Sequence, residues 1–305
     1  MPRTISIVGA GRVGKTLGRC LHRLGWRIGA VVARSDAHAK AAVRWIGDGR
    51  PRGRVTGDVF EADVILLATP DDVLAQVAAR LARVGGKDRK RRVSGFALAS
   101  PEFKKVVLHT SGALDSRVLA PLARLGAATG SLHPMQTFTG REVPKLRGVI
   151  FAVEGAPPAR RVAQRIARQL GGVPVTIDAS SKAAYHAAGA LVAGHALGLI
   201  EAATRILMRS GFTRRRAMQA VLPLTRQLLD NFEGLGPQAA WTGPIARRDY
   251  AIVQAHGKAL RAYPREFQQA YAALALLAGR VLAKDSRATI AGLKRALKNT
   301  NRRLF

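Results

Sequence analysis

The chain opens on a short β-rich run, Thr4–Val8 (TISIV), that passes directly into Gly9-Ala10-Gly11-Arg12-Val13-Gly14. This junction constrains the fold more than any other feature. An apolar helical pattern follows it up to Leu24 and Gly25, where a glycine ends the helix. Glycines spaced Gly9-x-Gly11-x-x-Gly14 between a strand and a helix have separate physical tasks. Gly9 permits the tight turn, Gly11 lets a pyrophosphate reach the backbone, and Gly14 lets the helix pack on the strand. The helix N-terminus, with Arg12 and Val13 in its first turn, then meets the phosphate charge. The plainer alternative is a tight turn that binds nothing.

Strand and helix patterns keep alternating after this unit. Strands are expected at Arg27–Ala33, Ala62–Ala68, Lys105–His109, Ala127–His133, Val149–Val153 and Val173–Ile177, with a short one opening near Val55. Helices are expected at Ala37–Trp45, Val73–Val84 and Pro157–Leu170, with a polar, basic surface loop over Gly85–Lys104. Beyond Asp178 the strand pattern stops. Ser180–Arg209, Arg214–Phe232, Arg247–Ala262 and Glu266–Ala283 read as helices. The expected class is α/β: a Rossmann-type doubly wound parallel sheet over residues 1–178, then an all-α domain over 179–305.

Composition narrows the function classes. At 305 residues, with 48% hydrophobic and 23% charged residues, the chain is globular and neither disordered nor of low complexity. The single cysteine, Cys20, excludes an intrachain disulfide framework and a cysteine-based metal site, and no metal is expected. No signal-peptide pattern opens the sequence, so a reducing cytoplasmic setting is expected. The longest stretch without Lys, Arg, Asp or Glu is Ala183–Ile200. It is read as a buried core helix and not as a membrane span. Fifty Lys and Arg against 19 acids give a net charge of +31. The excess is spread along the chain, densest at 87–92, 214–216 and 294–303. Aromatics are 5% and do not interleave with these runs, so nucleic-acid binding is not expected, and the charge is read as attraction for anionic small molecules.

Several residues carry candidate chemistry. The second strand ends in Ala33-Arg34-Ser35 with no acid at its tip. Arg34 can stack on an adenine and pair with a 2′-phosphate, and Ser35 can donate to it, which favours NADP over NAD. Asp36, one position later, keeps NAD open. Thr69 and Pro70 end the central apolar strand, where they either face the cofactor or only cap a helix. His109 with Ser111, and His133 in Ser131-Leu132-His133-Pro134-Met135, end further strands at the same edge. A neutral histidine there can shuttle a substrate proton during hydride transfer, unless both are structural. Lys182 and His186 share one helix face, with Tyr185 beside them, and that face is expected to look into an open cleft between the two domains, where the substrate would bind. Lys182 can bind an anion or protonate a developing alkoxide. Asn231 and Thr242 add polar groups from the helical domain, and Thr242 is placed to cap the helix that follows it.

Together, VGAGRVG (8–14), HTSGAL (109–114), SLHPMQTF (131–138), KAAYHAAGAL (182–191) and TGPIARRD (242–249) resemble the Rossmann-like proteins that carry the domain of unknown function numbered 2520. That family is described as NADP-dependent oxidoreductases. It is similar in architecture to pyrroline-5-carboxylate reductase, the β-hydroxyacid dehydrogenases and the deazaflavin-dependent NADP reductases. The resemblance implies a homodimer through the helical domain, and it names no substrate. The His-Pro-Met segment is similar to the motif of prephenate dehydrogenases that carries their catalytic histidine, which maps onto His133. Lys182 with a polar residue four positions on resembles the Lys and Asn pair of β-hydroxyacid dehydrogenases, with His186 in place of Asn. Arg248 stands where the family usually has Gly.

The expected function is an NADP-dependent oxidoreductase acting on a small anionic carbonyl, imine or hydroxyacid. His133, Lys182, His186 and His109 are the candidate catalytic groups, and Ser111, Tyr185, Asn231 and Thr242 the candidate substrate contacts. The cofactor would lie against Gly9, Gly11, Arg12, Val13, Gly14, Arg34, Ser35, Thr69 and Pro70. The alternative is a non-catalytic NADP-binding sensor or scaffold.

Overall fold

The computed structural model describes residues 4–93 and 105–298. β1 (Thr4–Val8) enters the middle of an eight-stranded sheet because its apolar residues face both layers. It is followed by α1 (Arg12–Arg23), β2 (Arg27–Val32), α2 (Asp36–Ile46), β3 (Arg50–Arg52), β4 (Val64–Leu67) and α3 (Asp71–Val93). Then come β5 (Val106–His109), α4 (Ala120–Ala123), β6 (Ala128–Pro134), β7 (Ile150–Gly155), α5 (Pro157–Gln169), β8 (Val173–Thr176) and α6 (Lys182–Ala190). The strand order is β3-β2-β1-β4-β5-β6-β7-β8. One side of the sheet buries Ile5, Leu66, Leu108 and Phe151 against Leu17 and Leu21 of α1 and Ile166 of α5. The other buries Val8, Ile65 and Val107 against Leu74, Ala78 and Leu81 of α3. Each face thus loses water against helices, as a doubly wound sheet requires.

Four features depart from the sequence expectations. The sheet is mostly parallel, but β6 and β7 pair antiparallel. A parallel return needs a crossover, usually a helix, and the connection 135–149 contains none. The short strand lies at Arg50–Arg52 and not at Val55, on the sheet edge where Pro51 costs no ladder bond. α3 runs on to Val93, so the loop expected from Gly85 begins as helix, and the rest of it (94–104) lies outside the described residues. Gly85 is not a breaker here. A Cβ on it would sit 2.9 Å from the Phe60 ring, so glycine gives Phe60 room against the helix. Finally, the helical run expected from Ser180 to Arg209 is present, but it contains a π-helical turn at Leu191–His195.

The chain divides into two compact units, Met1–Ala193 and Gly194–Phe305. The division falls later than Asp178 because Lys182 and Tyr185 of α6 bond to groups of the first unit. The expectation of a buried core helix does not hold. The run Ala179–Arg209 has a mean hydropathy of 1.4 and is long enough to cross a membrane, yet only 6% of its apolar window is buried. Val192 and Leu197 are 78% and 66% exposed. Apolar composition alone does not say what covers a face.

The second unit holds α7 (Ala196–Arg209), α8 (Arg214–Leu235), α9 (Pro237–Ala240), α10 (Tyr250–Ala259), α11 (Arg265–Val281) and α12 (Ser286–Lys298). Val253, Ala272, Ala275, Leu293 and Leu297 form its core. α12 was not legible because the basic run 294–303 masks its apolar stripe of Leu293, Ala296 and Leu297. Residues 299–303 of that run lie outside the described residues. Thr242 does not cap α10, whose N-cap is Asp249. Just before it, Arg248 adopts φ +59°. A Cβ is disfavoured in that left-handed region. Its ion pair with Asp285, at 3.7 Å, is half-exposed on both sides and contributes little. Arg248→Gly is therefore expected to stabilise this unit by about 0.5 kcal/mol, after glycine's own entropy cost. Thermal denaturation of the two proteins checks it, and a lower midpoint in the variant would contradict the strain.

Candidate active site

The turn between β1 and α1 has the geometry its glycines foreshadow. Gly9 has φ +98°, and a Cβ on it would lie 2.6 Å from the carbonyl carbon of Ala68. A Cβ on Gly14 would strike the Gly9 carbonyl and come within 3.2 Å of Ile7 Cγ2. These two glycines are needed by the protein itself. Gly11 is not: a Cβ there meets nothing within 4 Å. Its lack of a side chain leaves an exposed cradle at the helix N-terminus, where unpaired N–H groups favour an anion. Arg12 is exposed beside it, Val13 is half-buried, and no acid occupies the first turn of α1.

Residues flanking the turn add to this cradle. The amide of Thr69 lies 2.7 Å from where a Gly9 Cβ would be. The Thr69 hydroxyl is buried and has no hydrogen-bond partner, so it does not cap α3. Pro70 is exposed, and its carbonyl accepts from Val73 N–H. At the end of β2, Arg34 is exposed and has no hydrogen bond or ion pair among the described residues. The Ser35 hydroxyl instead caps α2, accepting from His38 N–H at 3.3 Å and sharing a 2.8 Å bond with His38 Nδ1. Asp36 is also engaged, since its carboxylate accepts from Gly53 N–H at 2.7 Å. A dinucleotide phosphate fits this set: open backbone at Gly11, an orphaned hydroxyl at Thr69 and an available guanidinium at Arg34.

The second cluster grows from strand register. β5 and β6 are parallel with His109 opposite Ser131, and β6 and β7 are antiparallel with Ser131 opposite Glu154. Three polar side chains thus sit abreast at one sheet edge. Lys182, at the start of α6, reaches in and is fully buried. Its Nζ donates to the Ser111 carbonyl at 3.0 Å and to Ser131 Oγ at 2.8 Å. Glu154 accepts from Ser116 N–H at 2.9 Å, Ser116 Oγ at 2.7 Å and Ser131 Oγ at 3.4 Å. The Ser111 hydroxyl accepts from the N–H groups of Ala113 and Leu114, which shapes the turn after β5.

His109 and His133 are neutral at pH 7. Burial, reinforced by the Lys182 charge and partly offset by Asp115, lowers His109 to about 3. Its Nδ1 accepts from Ser111 N–H at 3.2 Å, and its buried Nε2 has no partner in hydrogen-bonding geometry. Burial, then the His186 and Lys182 charges, lowers His133 to about 4. His133 Nδ1 shares a 3.0 Å bond with the Tyr185 hydroxyl, and burial raises that phenol to about 12. The His186 ring meets His133 edge to face, with centroids 5.8 Å apart. Gly112 makes this meeting possible, because a Cβ there would lie 2.6 Å from His186 and 2.8 Å from His133 Nε2. Burial also pulls Lys182 down to about 8, against the opposing charges of Glu154, Asp115 and Asp71.

The first unit therefore brings His109, Ser111, His133, Lys182, Tyr185 and His186 together. Lys182 lies beneath the others and does not face open space as its spacing suggested. Asn231 and Thr242 belong to the second unit, where Asn231 accepts from Gln227 at 2.9 Å and Thr242 is exposed. Sequence reasoning missed Gly112 and Glu154. Glu154 had one signal: an acid closing an otherwise apolar strand.

Residues 2–134 match the model of a Rossmann-like domain, and residues 149–278 match the domain of unknown function 2520. No curated protein matches the chain. Among solved structures it is similar to a candidate NADP oxidoreductase from Bacteroides fragilis, at TM-score 0.69 and 20% identity over 95% of this chain and 98% of that one. A protein from Thermotoga maritima aligns at TM-score 0.62 and 19% identity, over 97% and 98%. A pyrroline-5-carboxylate reductase from Streptococcus pyogenes aligns at TM-score 0.55 and 12% identity, over 97% of both chains. At these identities the likeness establishes a shared fold.

Two outcomes follow from the site's geometry. Both histidines are held neutral, so the unfolded chain takes up their protons first as pH falls. Their contribution to stability is complete above the unfolded value of about 6.5 and is lost as pH drops through the folded values of about 4 and 3. For Lys182 the window is alkaline: stability rises between about 8 and the ordinary 10.5, where only the unfolded lysine still holds its proton. Denaturant midpoints across pH check both windows. Gly112→Ala is expected to part the His133 and His186 rings and return His133 toward the ordinary histidine range, as read by NMR titration of its ring.

Proposed function

We propose that this chain, in which a Rossmann-like domain precedes the domain of unknown function 2520, is an oxidoreductase that binds NADP and acts on a small anionic carbonyl, imine or hydroxyacid. The observation that carries the reading is the β1–α1 turn: Gly9 and Gly14 are filled by the protein's own backbone and side chains, while Gly11 is open. NADP over NAD is supported by the available Arg34 guanidinium and by the engagement of the Asp36 carboxylate with Gly53. Bound NADP supplies a hydride donor or acceptor at its nicotinamide.

The chain's own residues handle the proton. His133 is the catalytic group, because its ring is half-buried while His109 and Lys182 are wholly buried. At neutral pH its unprotonated ring nitrogen can take a proton from a hydroxyacid, and Tyr185 fixes the ring through Nδ1. His186 borders the same ring. Lys182 acts from behind as a positive charge that favours an anionic ligand and adds to burial and His186 in keeping His133 neutral. The net charge of +31 supports an anionic substrate rather than a neutral one. The exposed apolar side chains Val192 and Leu197 support a homodimer in which a second copy covers them. A cytoplasmic setting completes the reading, supported by the lone thiol Cys20.

Calorimetric titration is the direct test. NADPH should bind more tightly than NADH, and Arg34→Ala should weaken NADPH by about tenfold with little effect on NADH. Gly11→Asp should abolish both by placing a carboxylate where phosphate belongs. Failure of either nucleotide to bind would overturn the reading. Where a panel of keto acids, imines and hydroxyacids reveals turnover, oxidation should fall below about pH 4 as His133 protonates, and change again near 8 as Lys182 discharges. Nucleotide binding without any turnover would favour a sensor.

A further inference from the structure

We propose that Glu154 is the positioning residue of this site: through the Ser131 hydroxyl it keeps the buried Lys182 amine a cation and fixes where that cation sits. The proposal rests on the site described above for its catalytic consequence, but not for its test.

The geometry leaves little choice about direction. An ammonium only donates, so Ser131 Oγ must accept from Lys182 Nζ at 2.8 Å. A carboxylate only accepts, so the Ser131 proton points to Glu154 Oε2 at 3.4 Å. The hydroxyl is thereby polarised from both ends, with charge of opposite sign on either side. Ser116 anchors the far end by donating its amide to one Glu154 oxygen and its hydroxyl to the other. Glu154, Ser131 and Lys182 are all nearly or fully buried, at 7%, 0% and 0% exposure. Water does not screen such a group, so a lysine there would discharge without a nearby negative partner.

The surrounding charges make Glu154 the principal one. Burial pulls Lys182 down, and Glu154 leads the groups that oppose it, ahead of Asp115 and Asp71. Asp115 is already committed to Arg117 through a 2.6 Å ion pair. Asp71 stands in the first turn of α3. The facing bases, His109 and His133, are neutral and supply no negative charge. Glu154, unlike Asp115, has no ion pair of its own among the described residues. Its negative charge therefore acts on Lys182, and the Lys182 charge adds to burial and His186 in keeping His133 neutral. A residue four strands along the sheet from β1 thus contributes to the protonation state of His133.

The test uses the full chain without nucleotide, so its failure is separable from failure of the oxidoreductase reading. Lysine labelled with carbon-13 at Cε is titrated by NMR, and the Lys182 signal is identified by its absence in Lys182→Met. Glu154→Gln should lower the pH at which Lys182 titrates by about one unit, and Glu154→Asp should retain most of the wild-type value. An unchanged Lys182 titration in a folded Glu154→Gln protein would overturn the proposal. If that variant does not fold, the double variant Glu154→Gln with Lys182→Met decides. A charge partnership predicts that the second substitution restores the fold, because no unpaired cation then remains. Independent, additive losses would overturn it.

Discussion

One buried cation organises the first unit. Lys182 places a full charge beneath the edge of the sheet, and its two hydrogen bonds tie the first turn of α6 to the β5 turn and to β6. A lone buried ammonium is costly, so everything near it is arranged to offset that cost. Ser131 and the Ser111 carbonyl solvate it, and Glu154 supplies the opposite charge across one hydroxyl. The same charge suppresses protonation of His109 and His133. Protein, ring and substrate chemistry thereby meet in a single electrostatic balance.

The two halves of the candidate site follow different physics. The nucleotide turn is mostly backbone. Its selectivity comes from which glycine is crowded and which is open, with Gly9 and Gly14 packed and Gly11 bare. The polar cluster is mostly side chain. It depends on strand register, which sets His109, Ser131 and Glu154 abreast, and on a helix that arrives from elsewhere with Lys182, Tyr185 and His186. Gly112 joins the two ideas, because it is a backbone vacancy used to pack two rings.

Much of this was legible in advance, and the misses have physical causes. Gly9-x-Gly11-x-x-Gly14 between apolar strand and helix was readable because each glycine answers a local steric demand. His133 and Tyr185 were readable as candidates because polar residues at strand ends and helix starts stand out against apolar runs. α12 and the far end of α3 were not, since basic residues hid the apolar stripe of α12 and the Gly85-Gly86 pair reads as a break in α3. Lys182 was placed on the right helix and given the wrong exposure. Helical spacing names a face, but depth depends on which strands lie under that face.

By itself, the sequence determined the alternation of strand and helix, the glycine turn between β1 and α1 and the polar residues of the strand ends, because these depend on neighbours within about one turn or one βα unit. Tertiary structure alone decided the antiparallel β6–β7 pairing, the burial of Lys182 and the partnership of Glu154 with Ser131 and Ser116. It also left the apolar face of Ala179–Arg209 uncovered. Those outcomes depend on residues 20 to 70 positions apart being set side by side, and local propensity carries no information about such distances.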